Sequence, residues 1–359
     1  MVAALSPKET PLLDFLGDAD VFATGTKHEY WQDFMLPNYI INSGVVNSAT
    51  AATAFQTNGL GLALTEGTIL ENESAAPELM QVVSIVGANS IVVSRNYGGG
   101  GVGSLVAGQN IYVRAMAGLE GQDHNGSGVR RLGNRLANTV GYFNLPFAAS
   151  ETQRATNEYG NDSFDNAVAK GLVDVLHQLE KEVIRGVLNS SNSLGSTTAT
   201  RTMQGIRQFI TSVNSSGITA ASFTANPHTY IGNTFDSMFQ AGASMSDTWA
   251  IVAGRTLYRD ISNMNDTKIE DTSSVEQFKR VIRKYTGPFG SAEVLLSRVL
   301  LPTELLLIPR ERVKVVALQS RSFAFEQLAK TGDNVKGQLT GEYTVEVHHE
   351  NAMGRFRTA

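Results

Sequence analysis

The sequence predicts an α+β fold, and three segments carry this prediction. Residues 48–116 are short β-branched runs of period two, separated by turn sequences such as NG, EGT and GAN, which is typical of a small antiparallel sheet or barrel. Residues 162–189 place apolar residues at every third or fourth position, which predicts one long helix. Residues 201–300 alternate helical and strand patterns, and strands return from residue 301 onward. In this part the sequence predicts a buried strand at TWAIVAG with a helix after it, and helices around TMQGIRQFI (202–210), YIGNTFDSMFQAGASM (230–245) and VEQFKRVI (275–282).

The sequence of residues 1–47 predicts an arm that does not form a hydrophobic core of its own. Pro7, Pro11 and Pro37 interrupt the segment, and its apolar side chains follow no regular period. Such a segment becomes ordered by packing on another surface.

The stretch RNYGGGGVGS, residues 95–104, raises the question of a nucleotide site. Gly98, Gly100 and Gly103 satisfy the G-x-G-x-x-G pattern of dinucleotide-binding turns. A phosphate site also needs a helix that begins at the glycines, because its first-turn N–H groups bind the phosphate. The residues that follow instead predict another strand, and Ser104 stands where a P-loop has lysine. We therefore predict the tip of a hairpin, where glycines allow close approach to a neighbouring backbone.

The predicted long helix has clear ends and one apolar stripe. Asp162 or Ser163 can cap its start, and Lys181 and Arg185 lie near its negative end. At 1.5 Å per residue it is roughly 40 Å long. Its stripe consists of Phe164, Val168, Leu172, Val175, Leu179, Val183 and Val187.

The charge content indicates burial against other copies. Charged residues make up 18% of the chain, which leaves little polar surface to keep copies apart. The net charge is −5, with −7 in residues 1–120 and +2 in the remainder. The acidic part of one copy can attract the basic part of a neighbouring copy. Alternatively, the charges of both parts are ordinary solvated surface. The sequence contains no basic stripe of the kind that tight nucleic-acid binding requires, so we do not expect such binding.

Several classes of protein are excluded or disfavoured. The chain has no cysteine, which excludes disulfides, thiolate catalysis and cysteine-bound zinc. No basic region precedes an apolar run at the amino terminus, and no stretch approaches the roughly 20 apolar residues of a membrane span. We expect a chain that is made and kept in the cytosol and does not enter a membrane.

No catalytic, cofactor or metal site is predicted. The six histidines fall in none of the usual catalytic or metal motifs, and no serine lies in G-x-S-x-G. His348, Glu346 and Glu350 share a predicted strand face, but an alternating polar face is typical of any half-exposed strand. His177 and Glu180 share a helix face with Lys181, and a solvated or interface hydrogen bond is the default interpretation of that group.

Five stretches resemble the major head protein family of certain podophages, whose members have the Johnson fold of tailed-bacteriophage major capsid proteins. The most specific is LIPRERVKVVALQSRSFAFEQLAKTGDNVKGQLTGEYTVEVHHENAMGR, residues 307–355. The others are TPLLDFLG (10–17), HEYWQDFMLP (28–37), EGQDHNGSGVRRLGNRLANTV (120–140) and RTMQGIRQFI (201–210).

The resemblance implies a non-enzymatic shell subunit. Copies would assemble as pentamers and hexamers into an icosahedral or prolate head around packaged double-stranded DNA, which the inner face contacts non-specifically. A separate scaffolding protein, a portal and decoration proteins would be partners. The subunit would be assembled in the host bacterial cytoplasm and end in the virion.

The resemblance also assigns domains and interface residues. It implies an N-terminal arm (1–47), an extended β-rich loop (48–117), a peripheral domain with the spine helix (118–200), an axial domain (201–300) and return strands that complete both (301–359). Tyr30, Trp31 and Phe34 would anchor the arm in a neighbour, and Gly98, Gly99, Gly100, Gly101 and Gly103 would overlie an adjacent subunit.

Two alternatives remain open at this point. One is an encapsulin-type bacterial nanocompartment, a smaller shell of the same fold that encloses protein. The other is an oligomeric enzyme with a nucleotide at the glycines.

Overall fold

The structure is a computed structural model of all 359 residues. It divides the chain into two compact units, residues 31–135 and residues 1–30 with 136–359. The residues it describes are 10–17, 21–33, 38–42, 53–56, 64–73, 77–87, 90–103, 105–117, 134–155, 163–189, 199–263, 284–330 and 332–358.

The described residues are mixed α and β, as the sequence predicts. In chain order the helices are α1 (Pro11–Leu16), α2 (Glu151–Ala155), α3 (Ser163–Arg185), α4 (Ile206–Phe209), α5 (Ala220–Ala225), α6 (Pro227–Gln240) and α7 (Arg255–Ser262). The strands are β1 (Phe22–Ala23), β2 (Lys27–Gln32), β3 (Tyr39–Ile41), β4 (Thr53–Gln56), β5 (Thr68–Asn72), β6 (Leu79–Gly87), β7 (Ser90–Ser94), β8 (Asn110–Met116), β9 (Asn134–Thr139), β10 (Gly141–Ser150), β11 (Asn214–Ile218), β12 (Trp249–Ala253), β13 (Lys284–Gly287), β14 (Gly290–Leu296), β15 (Glu304–Pro309), β16 (Val313–Leu318), β17 (Ala324–Leu328), β18 (Asn334–Val347) and β19 (Gly354–Thr358).

The unit of residues 31–135 contains one antiparallel sheet of six strands. Its strand order is β3-β8-β5-β6-β7-β4. Alternate residues of β5, β6 and β7 point into a small core that includes Leu70, Met80, Val82 and Ile91. The period-two pattern of the sequence therefore forms a sheet as predicted. The sheet also includes β3, which lies ahead of residue 48, where the sequence places the start of the β-rich segment.

The second unit contains two larger sheets. Sheet I has the order β1-β16-β18-β10, and β17 also pairs with β18. Sheet II has the order β11-β19-β15-β12-β14-β13. Strands β2 and β9 form a separate two-stranded sheet, and the division between the units falls within these two strands.

The central strands β12 and β15 of sheet II are buried on both faces, which explains the continuous apolar runs TWAIVA and LLLIP. Ala250 and Val252 of β12 face a core shared with sheet I and α3. Trp249 and Ile251 of the same strand face a second core, to which α5, α6 and α7 contribute. The strand is therefore held between two cores.

Helix α3 is the predicted spine, and it packs on β10 and β18. Phe164, Val175, Leu179 and Val183 of the predicted stripe are buried. Leu172 and Val187 are 43% and 65% exposed, so the stripe is wrong at these two positions.

The buried line of α3 passes through Gly171 instead of Leu172. A Cβ at Gly171 would lie 2.3 Å from the Phe147 ring, so only glycine allows this close packing on β10. The helix also ends at Arg185, which leaves Val187 beyond its last turn.

The elements predicted for residues 201–300 agree with the structure only in part. The strand and helix at TWAIVAG are confirmed as β12 and α7. The helix predicted near residues 201–210 is only the four residues of α4. The helix predicted over residues 275–282 and the Asp162 cap lie outside the described residues.

Strand β18 has the predicted alternation of apolar and polar faces, but its polar face is covered instead of half-exposed. Val345 and Val347 lie in the core, while Thr344 and Glu346 on the opposite face are also buried. Polar partners make the second burial tolerable, since Thr344 Oγ1 donates to the carbonyl oxygen of Thr139 at 3.0 Å.

Candidate assembly site

The glycine tip, residues 96–103, is a tight loop between β7 and β8. The N–H of Gly99 donates to the carbonyl oxygen of Asn96 at 3.1 Å, and the N–H of Gly101 donates to Asn96 Oδ1 at 2.8 Å. Gly99 and Gly101 have φ angles of +72° and +99°, a region that residues with a Cβ rarely adopt. These glycines are therefore required by the turn itself.

A buried glutamate fixes both ends of this loop. Glu78 Oε1 accepts hydrogen bonds from Arg95 Nε at 2.9 Å and from the N–H of Asn96 at 3.1 Å. Its Oε2 accepts from Arg95 Nη2 and from the N–H of Gly103 at 2.9 Å. Arg95 Nη2 also donates to the carbonyl oxygen of Gly103. We call Glu78 and Arg95 the tip clamp.

The tip presents apolar side chains and bare backbone to the outside. Tyr97 and Val102 are exposed, as is Val106 just beyond the tip. A Cβ at Gly99, Gly100 or Gly101 would meet no atom within 4 Å. Gly98 and Gly103 differ, because a Cβ there would lie 3.0 Å from Leu79 and from Asn72, respectively. The outer three glycines therefore face open space.

The chain around the tip has a strand on each side, as predicted, but the prediction of a hairpin is wrong. Strand β7 precedes the tip and β8 follows it in the same sheet, and β5 and β6 lie between them, so the tip connects two strands that do not pair. Ser104 lies outside the described residues. The helix N-terminus on which a phosphate site depends is not formed by the described residues 90–103 and 105–117.

The three aromatic residues of the arm have different positions. Trp31 is 63% exposed. Tyr30 is buried in its own subunit, where its hydroxyl donates to the carbonyl oxygen of Val347 and accepts from the N–H of Val347, both at 3.2 Å. Phe34 lies outside the described residues. Of the two described residues, Trp31 is therefore the one whose side chain is exposed enough to contact a neighbouring subunit.

The polar face of β18 forms a histidine–carboxylate cluster. Glu346 is hydrogen-bonded to His28 Nε2 and, at 3.2 Å, to His348 Nε2. Burial opposes ionisation of Glu346, but the hydrogen bonds from the two histidines outweigh burial and lower its pKa to about 2. This cluster joins β2 to β18, and so it ties the arm to sheet I.

Glu350, the third residue of the candidate metal face, points elsewhere. Its carboxylate accepts hydrogen bonds from the backbone N–H groups of Thr211 and Ser212 at 2.9 and 3.1 Å. No group of three His, Asp or Glu side chains among the described residues has an arrangement that suits a metal ion. The described helices also include none that is long and apolar enough to cross a bilayer.

Sequence reasoning missed the tip clamp. Glu78 and Arg95 are 17 residues apart, just before β6 and just after β7, and their meeting depends on strand register. The one available signal was a charged residue at the end of each of two apolar runs.

Comparison with known families decides the identity of the chain. A family model described as SU10 major capsid protein matches residues 1–359. The chain belongs to this family. The prediction of a phage major capsid protein, made from the resemblance, is confirmed at this level. No curated protein matches the chain.

Solved capsid structures give weaker similarities to this SU10-type major capsid protein. A structure from Microbacterium phage Oxtober96 is 11% identical, with coverage of 68% of this chain and 83% of that chain and a TM-score of 0.47. The capsid of Myoviridae phage XM1 is 12% identical, with coverage of 67% and 81% and a TM-score of 0.45. The SrpI encapsulin complex of Synechococcus elongatus is 8% identical, with coverage of 64% and 77% and a TM-score of 0.42.

Proposed function

We propose that this major capsid protein builds a phage head from pentamers and hexamers and has no catalytic role. The head encloses double-stranded DNA, and the subunits assemble in the cytoplasm of the host bacterium. A scaffolding protein, a portal and decoration proteins act with it. The observation that carries the mode of assembly is the glycine tip, because it is rigidly held at its base and unoccupied on its outer side.

The tip is suited to lie on the backbone of a neighbouring copy. Its clamp removes the freedom that a flexible loop would lose on binding, which lowers the cost of association. The absence of Cβ atoms at Gly99, Gly100 and Gly101 allows close backbone approach. Tyr97 and Val102 add apolar surface beside this contact. Residues 48–117 lie within the compact unit of residues 31–135, which supports their assignment as the extended loop of the subunit.

The arm makes a second contact in this proposal. Trp31 is a large exposed aromatic residue next to the buried Tyr30. Aromatic anchors of this kind contribute strongly to interfaces when a partner covers them. Residues 118–200 and 201–300, completed by 301–359, form the peripheral and axial domains.

The contact with DNA is weak and non-specific. The chain has a net charge of −5, and a wall without a basic stripe neutralises few phosphates. Packed DNA can therefore move along such a wall during filling and ejection.

The contents of purified particles test the function. Particles that contain the chain are isolated on a density gradient, treated with nuclease, and assayed for nucleic acid and protein. We expect closed shells that protect double-stranded DNA. Shells filled with protein and free of DNA would favour the nanocompartment, and small oligomers without a shell would contradict both.

Substitution at the tip tests the proposed contact. A valine at Gly100 meets open space and an unstrained backbone, so Gly100→Val is expected to fold normally. It places a branched side chain in the intersubunit contact, and an overpacking cost of about 1.4 kcal/mol is already tenfold in association. We expect the yield of closed particles to fall at least about tenfold by sedimentation.

Gly87→Val is the matched control, because Gly87 also has open space around it but lies at the end of β6 away from the tip residues in sequence. A normal particle yield from Gly100→Val would remove the tip from the interface. Gly101 is avoided because its positive φ would strain any valine.

A further inference from the structure

A buried carboxyl group of the spine helix faces the arm. Glu180 of α3 is 1% exposed, and its Oε2 has no hydrogen-bond partner. The sequence favoured a solvated or interface hydrogen bond for the group of His177, Glu180 and Lys181, and the burial of Glu180 excludes the solvated form for this residue. An unpartnered carboxylate oxygen in such a place is costly when it is charged.

The partner of Glu180 is helix α1 of the arm. The backbone N–H groups of Leu13 and Leu12, in the first turn of α1, stabilise its carboxylate. The side chain of Thr10, the N-cap residue, makes no capping hydrogen bond that would compete for these N–H groups. Leu12 and Leu16 of α1 are buried in the main core, which anchors the helix to β14 and β16 and to the core that α3 also lines.

A cavity of about 370 Å³ adjoins the carboxyl group. Asp174, His177 and Lys181 of α3 line it, together with Arg298, which follows β14. Asp14 of α1 also acts on Glu180 through its charge, and β10 contributes only the apolar Leu145 to the lining. The charged side chains beside Glu180 are therefore the acids Asp174 and Asp14 and the bases Lys181 and Arg298, which leave no large excess of charge.

The environment of Glu180 shifts its proton affinity strongly. Desolvation by burial raises its pKa from 4.5 to about 7, and the charge of Asp14 adds to the rise. The N–H groups of Leu13 and Leu12 lower the pKa but do not offset burial. The group therefore titrates between pH 5 and pH 8, where carboxyl groups usually do not.

We propose that Glu180 and α1 form a proton-controlled latch, in which α1 is held tightly when Glu180 is protonated and is released more readily when Glu180 is ionised. The physical reason is solvation, since departure of α1 would open Glu180 to water. The latch operates within one subunit and does not depend on the proposed shell.

The direction of the pH effect follows from linkage. The docked state has the higher pKa, so its extra proton affinity favours docking fully below about pH 4.5. This advantage is lost as the pH rises toward 7, by up to tenfold in the docking equilibrium per pH unit, and does not change further above that. Acid therefore tightens the arm and neutral pH loosens it.

Hydrogen exchange of the full-length chain tests the latch. Amide protection of residues 10–17 is measured from pH 5 to pH 8 and corrected for the intrinsic pH dependence of exchange. In the natural chain we expect protection to fall by more than about tenfold between pH 5 and pH 7. Glu180→Gln keeps the shape of the side chain without the charge, and its protection should be high and independent of pH.

Two further variants make the result decisive. Glu293→Gln makes the same chemical change at an exposed position of β14 and should behave as the natural chain does. Leu12→Ala weakens the anchoring of α1 and should lower protection at every pH. A fall in Glu180→Gln equal to that of the natural chain, or no fall in the natural chain, would overturn the latch.

Discussion

Glu78→Ala is expected to disorder the glycine tip and abolish assembly of shells. The side chain of Glu78 accepts four hydrogen bonds, from Arg95 Nε, Arg95 Nη2 and the N–H groups of Asn96 and Gly103. The side chain of Arg95 is 2% exposed, so the substitution leaves a buried charge without its carboxylate. Breaking a buried ion pair in this way costs about 3–5 kcal/mol, and we expect the free energy of unfolding of residues 31–135 to fall by this amount.

The measurement combines thermal unfolding with particle yield. Glu73→Ala is the matched control, because Glu73 is an exposed acid of the same segment and should leave both readouts unchanged. The double variant Glu78→Ala, Arg95→Leu removes the buried charge as well, and it should recover part of the lost stability. Unchanged unfolding and normal particles from Glu78→Ala would show that the clamp does not hold the tip.

Gly254→Ala is expected to give the largest loss of stability from a single added methyl group. A Cβ at Gly254 would lie 1.9 Å from the carbonyl oxygen of Leu301 and 2.9 Å from that of Pro302. The φ of −68° is open to alanine, so the effect is purely steric. The obstructing backbone is fixed, because the N–H of Thr256 donates to Pro302 O at 3.1 Å. We expect a loss of about 3 kcal/mol.

Gly232→Ala is the control with the opposite sign. Gly232 lies in α6 with no atom near its missing Cβ, so alanine should raise stability by about 0.5–1 kcal/mol. Urea unfolding midpoints measure both changes. Equal midpoints for the two variants would contradict the close approach at Gly254.

The sequence predicted those helices and strands that neighbouring residues specify through their pattern of apolar and turn residues. The long helix and strand β12 are uninterrupted patterns, and the glycine tip has strands on both sides, so their types could be read from period and turn residues alone. The stripe of α3 failed at Leu172 because the helix meets β10 through Gly171, and that contact depends on Phe147.

The contacts that define the site depend on tertiary structure. Glu78 and Arg95 meet only because β6 and β7 pair in one particular register. Glu180 is buried where α1, more than 160 residues earlier in the chain, lies beside it. A charged residue in the sequence carries no mark of such a partner, so each looked like ordinary solvated surface.

A cryo-electron microscopy reconstruction of particles assembled from the chain tests the central claim most directly. The account predicts closed shells of five- and six-membered rings, in which the glycine tip of each copy lies against a neighbour and Trp31 is covered. Discrete small oligomers under every condition, including with a scaffolding protein supplied, would contradict it.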